Sequence, residues 1–106
     1  SGMSEEIYQE SMELELASRS IPFSAKARLD VCYKGNRLNK KYIPDLWVFN
    51  QIIVELKAVK QLAAEHDQQL MNYLHITRRP IGYLINFGAG KAVEWKRFII
   101  SEYIPG

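Results

Sequence analysis

Tyr42-Ile43-Pro44-Asp45-Leu46-Trp47-Val48-Phe49-Asn50-Gln51-Ile52-Ile53-Val54-Glu55-Leu56-Lys57 is the stretch whose reading decides the fold. Tyr42 to Phe49 reads as a strand, Asn50-Gln51 as a turn, and Ile52 to Lys57 as a second strand returning beside the first. A hairpin closed at Asn50-Gln51 brings Asp45 and Glu55 together near its open end. Side chains alternate along a strand, so Glu55 and Lys57 share one face while Leu56 points to the other. Two carboxylates and an ammonium converging inside an apolar hairpin are costly to desolvate. A divalent cation relieves that cost. A strand-end ion pair, Glu55 with Lys57 or Asp45 with some other lysine, is the plainer reading of the same residues.

Working outward, residues 4 to 19 read as a helix, with Ser4 as N-cap and Glu5 and Glu6 in the first turn, where carboxylates suit the dipole. Ser20-Ile21-Pro22-Phe23 ends it, because proline restricts the residue before it. From Ala25 to Tyr33 polar and apolar residues alternate, predicting one half-buried strand with Ala27, Leu29, Val31 and Tyr33 on a single face. Lys34-Gly35-Asn36 is a turn, and the next strand starts near Arg37. After the hairpin, Leu62 to Thr77 carries apolar residues at helical spacing until Arg78-Arg79-Pro80 stops it. Ile81 to Phe87 is a continuous apolar run that suggests a strand buried on both faces. Gly88-Ala89-Gly90-Lys91 turns the chain into a last strand over Val93 to Ile100. The order is α-β-β-β-α-β-β. The crossover helix makes the Ile52–Lys57 and Ile81–Phe87 strands parallel, and the other pairings antiparallel, so the sheet is mixed and covered by helices.

At 106 residues the chain is one domain, 1–106, with room for a single core. A hydrophobic content of 47% and a charged content of 25% fit a globular protein and exclude disorder. No apolar run approaches the ~20 residues that cross a bilayer, so no membrane partner is expected. Cys32 is the only cysteine; it allows no internal disulfide, fits a reducing, cytoplasmic compartment, and reads as a buried or half-buried structural thiol. With only His66 and His75 beside it, there is no Cys/His zinc set. The net charge of +2 decides nothing, but its distribution is uneven. Lys26, Arg28, Lys34, Arg37, Lys40 and Lys41 face a lone Asp30, whereas Glu5, Glu6, Glu10, Glu13 and Glu15 crowd the front. The basic stretch reads equally as a phosphate-binding surface or a solvated hairpin face.

Asp45 and Glu55 are hard oxygen ligands suited to Mg²⁺ or Mn²⁺. Lys57 could orient an attacking water or stabilise charge developing on a phosphorane. Gln69 and Tyr73, four apart, share a face of the following helix, which is equally the pattern of a half-exposed helix face. Glu5 could add a third carboxylate from the first helix or simply complement the dipole. Arg78-Arg79 and Lys96-Arg97, with Lys40 and Lys41, are candidate nucleic-acid contacts by charge alone. Of the aromatics that could stack on bases, Trp47 and Tyr83 read as core residues and Trp95 as the most open.

The order Glu5 … Pro44-Asp45 … Glu55-Leu56-Lys57 … Gln69-x-x-x-Tyr73 resembles the PD-(D/E)xK nuclease superfamily, and more closely its branch of GxxExxR proteins. The blocks that carry the likeness include Gly2-Met3-Ser4-Glu5-Glu6-Ile7-Tyr8, Tyr42-Ile43-Pro44-Asp45-Leu46, Ile53-Val54-Glu55-Leu56-Lys57-Ala58-Val59, His66-Asp67-Gln68-Gln69-Leu70-Met71-Asn72-Tyr73-Leu74 and Gly82-Tyr83-Leu84-Ile85-Asn86-Phe87, spanning nearly the whole chain. The resemblance implies a restriction-endonuclease-like αβββαβ core with a metal site at the split of the central sheet. It implies Asp45, Glu55 and the Leu56 carbonyl as Mg²⁺ ligands, Glu5 as the helix-borne acid, Lys57 as the catalytic lysine, and Gln69 and Tyr73 as holders of site and substrate. The implied partner is DNA. Two departures stand. Tyr8 occupies the position of the arginine in the family label. Members usually carry a helix before the Gly-x-x-Glu block, so either a first helix is missing ahead of Ser1, exposing apolar surface and favouring a homodimer, or Ser1-Gly2 is a scar before a native Met3. Two functions remain open: a Mg²⁺-dependent nuclease, and a non-catalytic nucleic-acid- or protein-binding module on the same fold.

Overall fold

The computed structural model describes residues 2–90 and 92–106. Ser1, and the Lys91 of the expected last turn, lie outside them. Helix α1 (Gly2–Ser18) begins ahead of Ser4, which is therefore inside the helix rather than its cap. Strand β1 (Phe23–Ala25) follows, then a small hairpin of β2 (Cys32–Tyr33) and β3 (Asn36–Arg37), then β4 (Leu46–Val48), β5 (Ile52–Lys57), helix α2 (Ala64–Thr77), β6 (Ile81–Asn86), β7 (Glu94–Ile99) and a 3₁₀ turn at Ser101–Tyr103. The main sheet runs β1-β4-β5-β6-β7. β5 and β6 are parallel and every other pair is antiparallel. The mixed sheet flanked by two helices is the restriction-endonuclease-like architecture expected.

Alternation along β5 divides the core in two. Val54 and Leu56 join Leu46 and Val48 under Met12 and Leu16 of α1. Ile53 faces the other way, with Leu84, beneath Leu70 and Leu74 of α2. Gly82 lets α2 approach the sheet, since a Cβ there would meet the Leu70 side chain at 3.1 Å. Both helices end alike. Ile21 N–H donates to the Leu16 carbonyl and Arg79 N–H to the Leu74 carbonyl, with Ser20 and Arg78 in the left-handed region just before them. Pro22 and Pro80 follow. No helix among the described residues is long and apolar enough to cross a membrane.

The expected strand over Ala25–Tyr33 does not form as one element. Lys26 takes φ 55°, which turns the chain out of the sheet after Ala25. Beyond it only an isolated bridge, Leu29 to Tyr42, continues the pairing. Leu29 and Val31 are buried as the alternation required, but Tyr33 and Cys32 are exposed. The tiny β2–β3 hairpin projects them past the sheet. It closes on Lys34-Gly35, both at positive φ, as a two-residue turn demands. The strand expected over Tyr42–Phe49 is likewise trimmed to Leu46–Val48, its turn starting at Phe49, where Phe49 and Asn50 both take positive φ.

One buried polar residue fastens the end of β5. Asn86, fully buried beside Lys57 in the parallel register, accepts from Val59 N–H at 2.9 Å and Gly88 N–H at 3.0 Å. It donates to the Val59 carbonyl at 2.8 Å and to Glu94 Oε1 at 3.1 Å. Every polar atom of the amide is used, which is how a buried amide escapes its desolvation cost. Asn86→Leu strands those partners and should lower unfolding free energy by about 2–4 kcal/mol in urea titration; a loss under about 0.5 kcal/mol would contradict this role.

Candidate functional site

The register Leu46↔Val54 places Asp45 and Glu55 at the next position, just where β4 begins and the sheet splits. The two are tied reciprocally. Asp45 N–H donates to Glu55 Oε1 at 3.1 Å, and Leu56 N–H donates to Asp45 Oδ2 at 2.8 Å. In a strand one residue's N–H and C=O point to the same edge, so the Leu56 carbonyl faces Asp45 as well. Gln9 of α1 donates to the Asp45 carbonyl at 2.9 Å, which fixes the backbone from the helix side. Lys26, turned in by its positive φ, donates to Asp45 Oδ1 at 2.6 Å. Of the ion pairs the hairpin allowed, this is the one formed; among the described residues Lys57 makes none.

Glu55 is the electrostatically stressed member. Burial, and secondarily the Asp45 carboxylate, push its pKa from 4.5 up to about 7. The Asp45 N–H and the neighbouring Lys57 offset part of that rise. The Tyr42 hydroxyl also lies beside Glu55, but it falls outside hydrogen-bond geometry and is buried without a partner among the described residues. Burial, with Glu55 next to it, raises the Tyr42 pKa strongly, so this phenol stays protonated.

Glu55 and Lys57 open on a cleft of about 540 Å³ whose walls also carry Gln69, Tyr73, Lys40 and Lys41. Gln69 Nε2 lies 3.5 Å from the Tyr73 hydroxyl, and Tyr73 stacks on Tyr42 at 3.9 Å between ring centres. The hairpin and the α2 face, read separately in the sequence, thus meet in one place. Glu5 lies in a second cleft of about 230 Å³ on the α1 side, with Glu6, Gln9, Lys26, Asp45 and Leu56. Among the described residues no three His, Cys, Asp or Glu side chains converge to hold a metal, so Glu5 stands near Asp45 without closing a triad with Glu55. The donor set that fits a hard cation is Asp45, Glu55 and the Leu56 carbonyl, and the stressed Glu55 carboxylate is what a cation would relieve.

The other basic residues are dispersed. Lys41 pairs with Asp30. Lys96 is held by Asp67 at 3.0 Å, and Arg97, the next residue on β7, points to the opposite face of the sheet. Arg78 and Arg79 border a separate cleft. Sequence reasoning missed Gln9, Lys26 and Asn86. The four-residue spacing of Glu5 and Gln9 could have flagged the first; for Lys26 no sequence signal exists.

A family model described as the PD-(D/E)XK nuclease superfamily matches residues 1–98, and the chain belongs to that superfamily. Among solved structures, the crystal structure of SSO0001 superposes with a TM-score of 0.68 at 16% identity, over 89% of this chain and 50% of that one. This likeness establishes the shared fold, and the chain spans about half the length of that structure. No curated protein matches the chain.

Because folding raises the Glu55 pKa, the native state holds this proton more tightly than the unfolded chain between pH 4.5 and about 7, and stability falls as pH rises through that window. Glu55→Gln keeps the acceptor for Asp45 N–H and removes the charge. By chemical denaturation it should be more stable than the parent by on the order of 2–3 kcal/mol at pH 8, with the gain vanishing below pH 4.5. Equal gains at both pH values would mean that the charge is not the cause.

Proposed function

We propose that this chain is a metal-dependent nuclease that hydrolyses DNA phosphodiester bonds, of the GxxExxR branch within its superfamily. The observation that carries the reading is the convergence of Glu55, Lys57, Gln69 and Tyr73 on one cleft, with Asp45, which lines the cleft on the α1 side, tied to Glu55 through its backbone N–H. Asp45, Glu55 and the Leu56 carbonyl would hold Mg²⁺ or Mn²⁺, with water and phosphate oxygens completing the shell. When bound, the ion would polarise the phosphate and ease deprotonation of the attacking water.

The remaining work falls to the chain's own side chains. Lys57 carries an ammonium with no ion pair among the described residues, half-buried beside Glu55, and is free to orient the water and stabilise the charge growing on the pentacovalent phosphorus. Gln69 presents an amide to a phosphate oxygen or water, steadied by Tyr73 and through it by the Tyr42 ring. Gln9 and Leu56 N–H fix Asp45 from two directions, so its carboxylate is preorganised. Lys40, on the rim, supplies positive charge for the strand, while the Lys41 ammonium beside it is paired with Asp30.

A second reading, a nucleic-acid-binding module without catalysis, draws on the Lys26–Asp45 pair, since an ammonium already neutralises the carboxylate that a cation would take. The two separate in one experiment. Labelled single-stranded, duplex and branched DNA is incubated with Mg²⁺, Mn²⁺ or EDTA, beside Glu55→Ala and Lys57→Ala. Metal-dependent products are expected, falling about 10²-fold or more in each variant while circular dichroism stays unchanged. Cleavage that survives both substitutions, or DNA retention without products under any metal, would refute the nuclease.

A further inference from the structure

The cleft next to the candidate active site has chemistry that the site does not use. It measures about 390 Å³, its walls include Arg28, Trp47, Arg78 and Arg79, and Ile76 lines both clefts, so the two meet. Two donors here are buried with no acceptor among the described residues, Trp47 Nε1 and Arg79 Nε. Arg79 is held on the wall, its guanidinium 4.8 Å from the Trp47 ring centre and its Nη1 donating to the Asn50 carbonyl at 3.5 Å. A buried N–H without an acceptor is costly, and an acceptor-rich ligand that reached these two wall residues would relieve both.

Charge points the same way. Arg28 and Arg78 are exposed and make no ion pair among the described residues. The one acid of the wall, Asp30, is already engaged by Lys41 and Arg37. Guanidinium and indole groups donate and never accept, and planar guanidinium forks suit phosphate oxygens.

We propose that this cleft is a second anion subsite, which takes a backbone phosphate of the DNA strand whose reacting phosphate lies at Glu55 and Lys57. It rests on the reading of the chain as acting on nucleic acid. Gln69 on α2 and Arg78 just past its end stand nine residues apart in sequence, about 13 Å of helical rise at 1.5 Å per residue, which matches the axial rise of about four base steps of a duplex at 3.4 Å each. The subsite therefore grips the strand away from the bond that breaks, and Ile76 marks the crossing between the two clefts.

Cys32 supplies the reporter, because it is the only cysteine, is exposed, and lines this cleft. Its alkylation by iodoacetamide is timed in EDTA, so that no cleavage intervenes, with a single-stranded DNA oligonucleotide or with inorganic phosphate, while fluorescence anisotropy follows binding. The oligonucleotide should slow alkylation at least five-fold. Arg28→Gln, at an exposed position, should weaken binding and reduce the slope of log affinity against log salt by about 0.7–1. Oligonucleotide that binds without protecting Cys32, or does not bind, overturns the subsite, and so does protection by inorganic phosphate alone. Protection without any Mg²⁺-dependent cleavage in the parallel assay leaves the subsite and removes the nuclease; cleavage with Cys32 unprotected does the reverse.

Discussion

The β4–β5 register is the constraint on which the rest depends. Pairing Leu46 with Val54 leaves Asp45 and Glu55 at adjoining positions where the two strands part, and a slip of one residue would send Glu55 to the face that Leu56 buries. The register is held by burial on both sides at once. Ile53 is packed under α2, and Val54 and Leu56 under α1. Two carboxylates are thereby kept in a half-buried spot, where burial first and the Asp45 carboxylate second push the Glu55 pKa up.

Rigidity around the pair comes from hydrogen bonds that cross between elements. Gln9 reaches from α1 to the Asp45 carbonyl, Leu56 N–H reaches across the split to its carboxylate, and Asn86 clamps the chain just after Lys57. Gly88 belongs to the same clamp, since a Cβ there would lie 2.6 Å from the backbone of Ala58 and Val59. The catalytic lysine of the proposal thus sits on a strand whose exit cannot drift, while the groups that would contact substrate, Lys40 and Gln69, lie on the open side.

Much of this was legible in the sequence, for reasons of periodicity. The hairpin, the parallel β5–β6 pair and α2 are written in strong local patterns, and the nearness of Asp45 to Glu55 follows from strand arithmetic. The segment from Ala25 to Tyr33 misled because its alternation is real at Leu29 and Val31 but is satisfied by one bridge to Tyr42 rather than by a strand. A single left-handed residue, Lys26, breaks the strand, and lysine carries no signal for that conformation. Gln9, Lys26 and Asn86 escaped notice since their roles lie in partners far along the chain. Charge alone did not reveal the tertiary ion pair that engages Lys96 with Asp67.

The most direct test of the account is a titration of the Glu55 carboxyl by NMR, with and without Mg²⁺. The account predicts a midpoint near pH 7 in the metal-free protein, moving down by more than one unit when Mg²⁺ is added, because a cation between Asp45 and Glu55 favours the ionised form. A midpoint that ignores Mg²⁺ at millimolar concentration would contradict a metal site at this pair, and with it the metal-dependent nuclease.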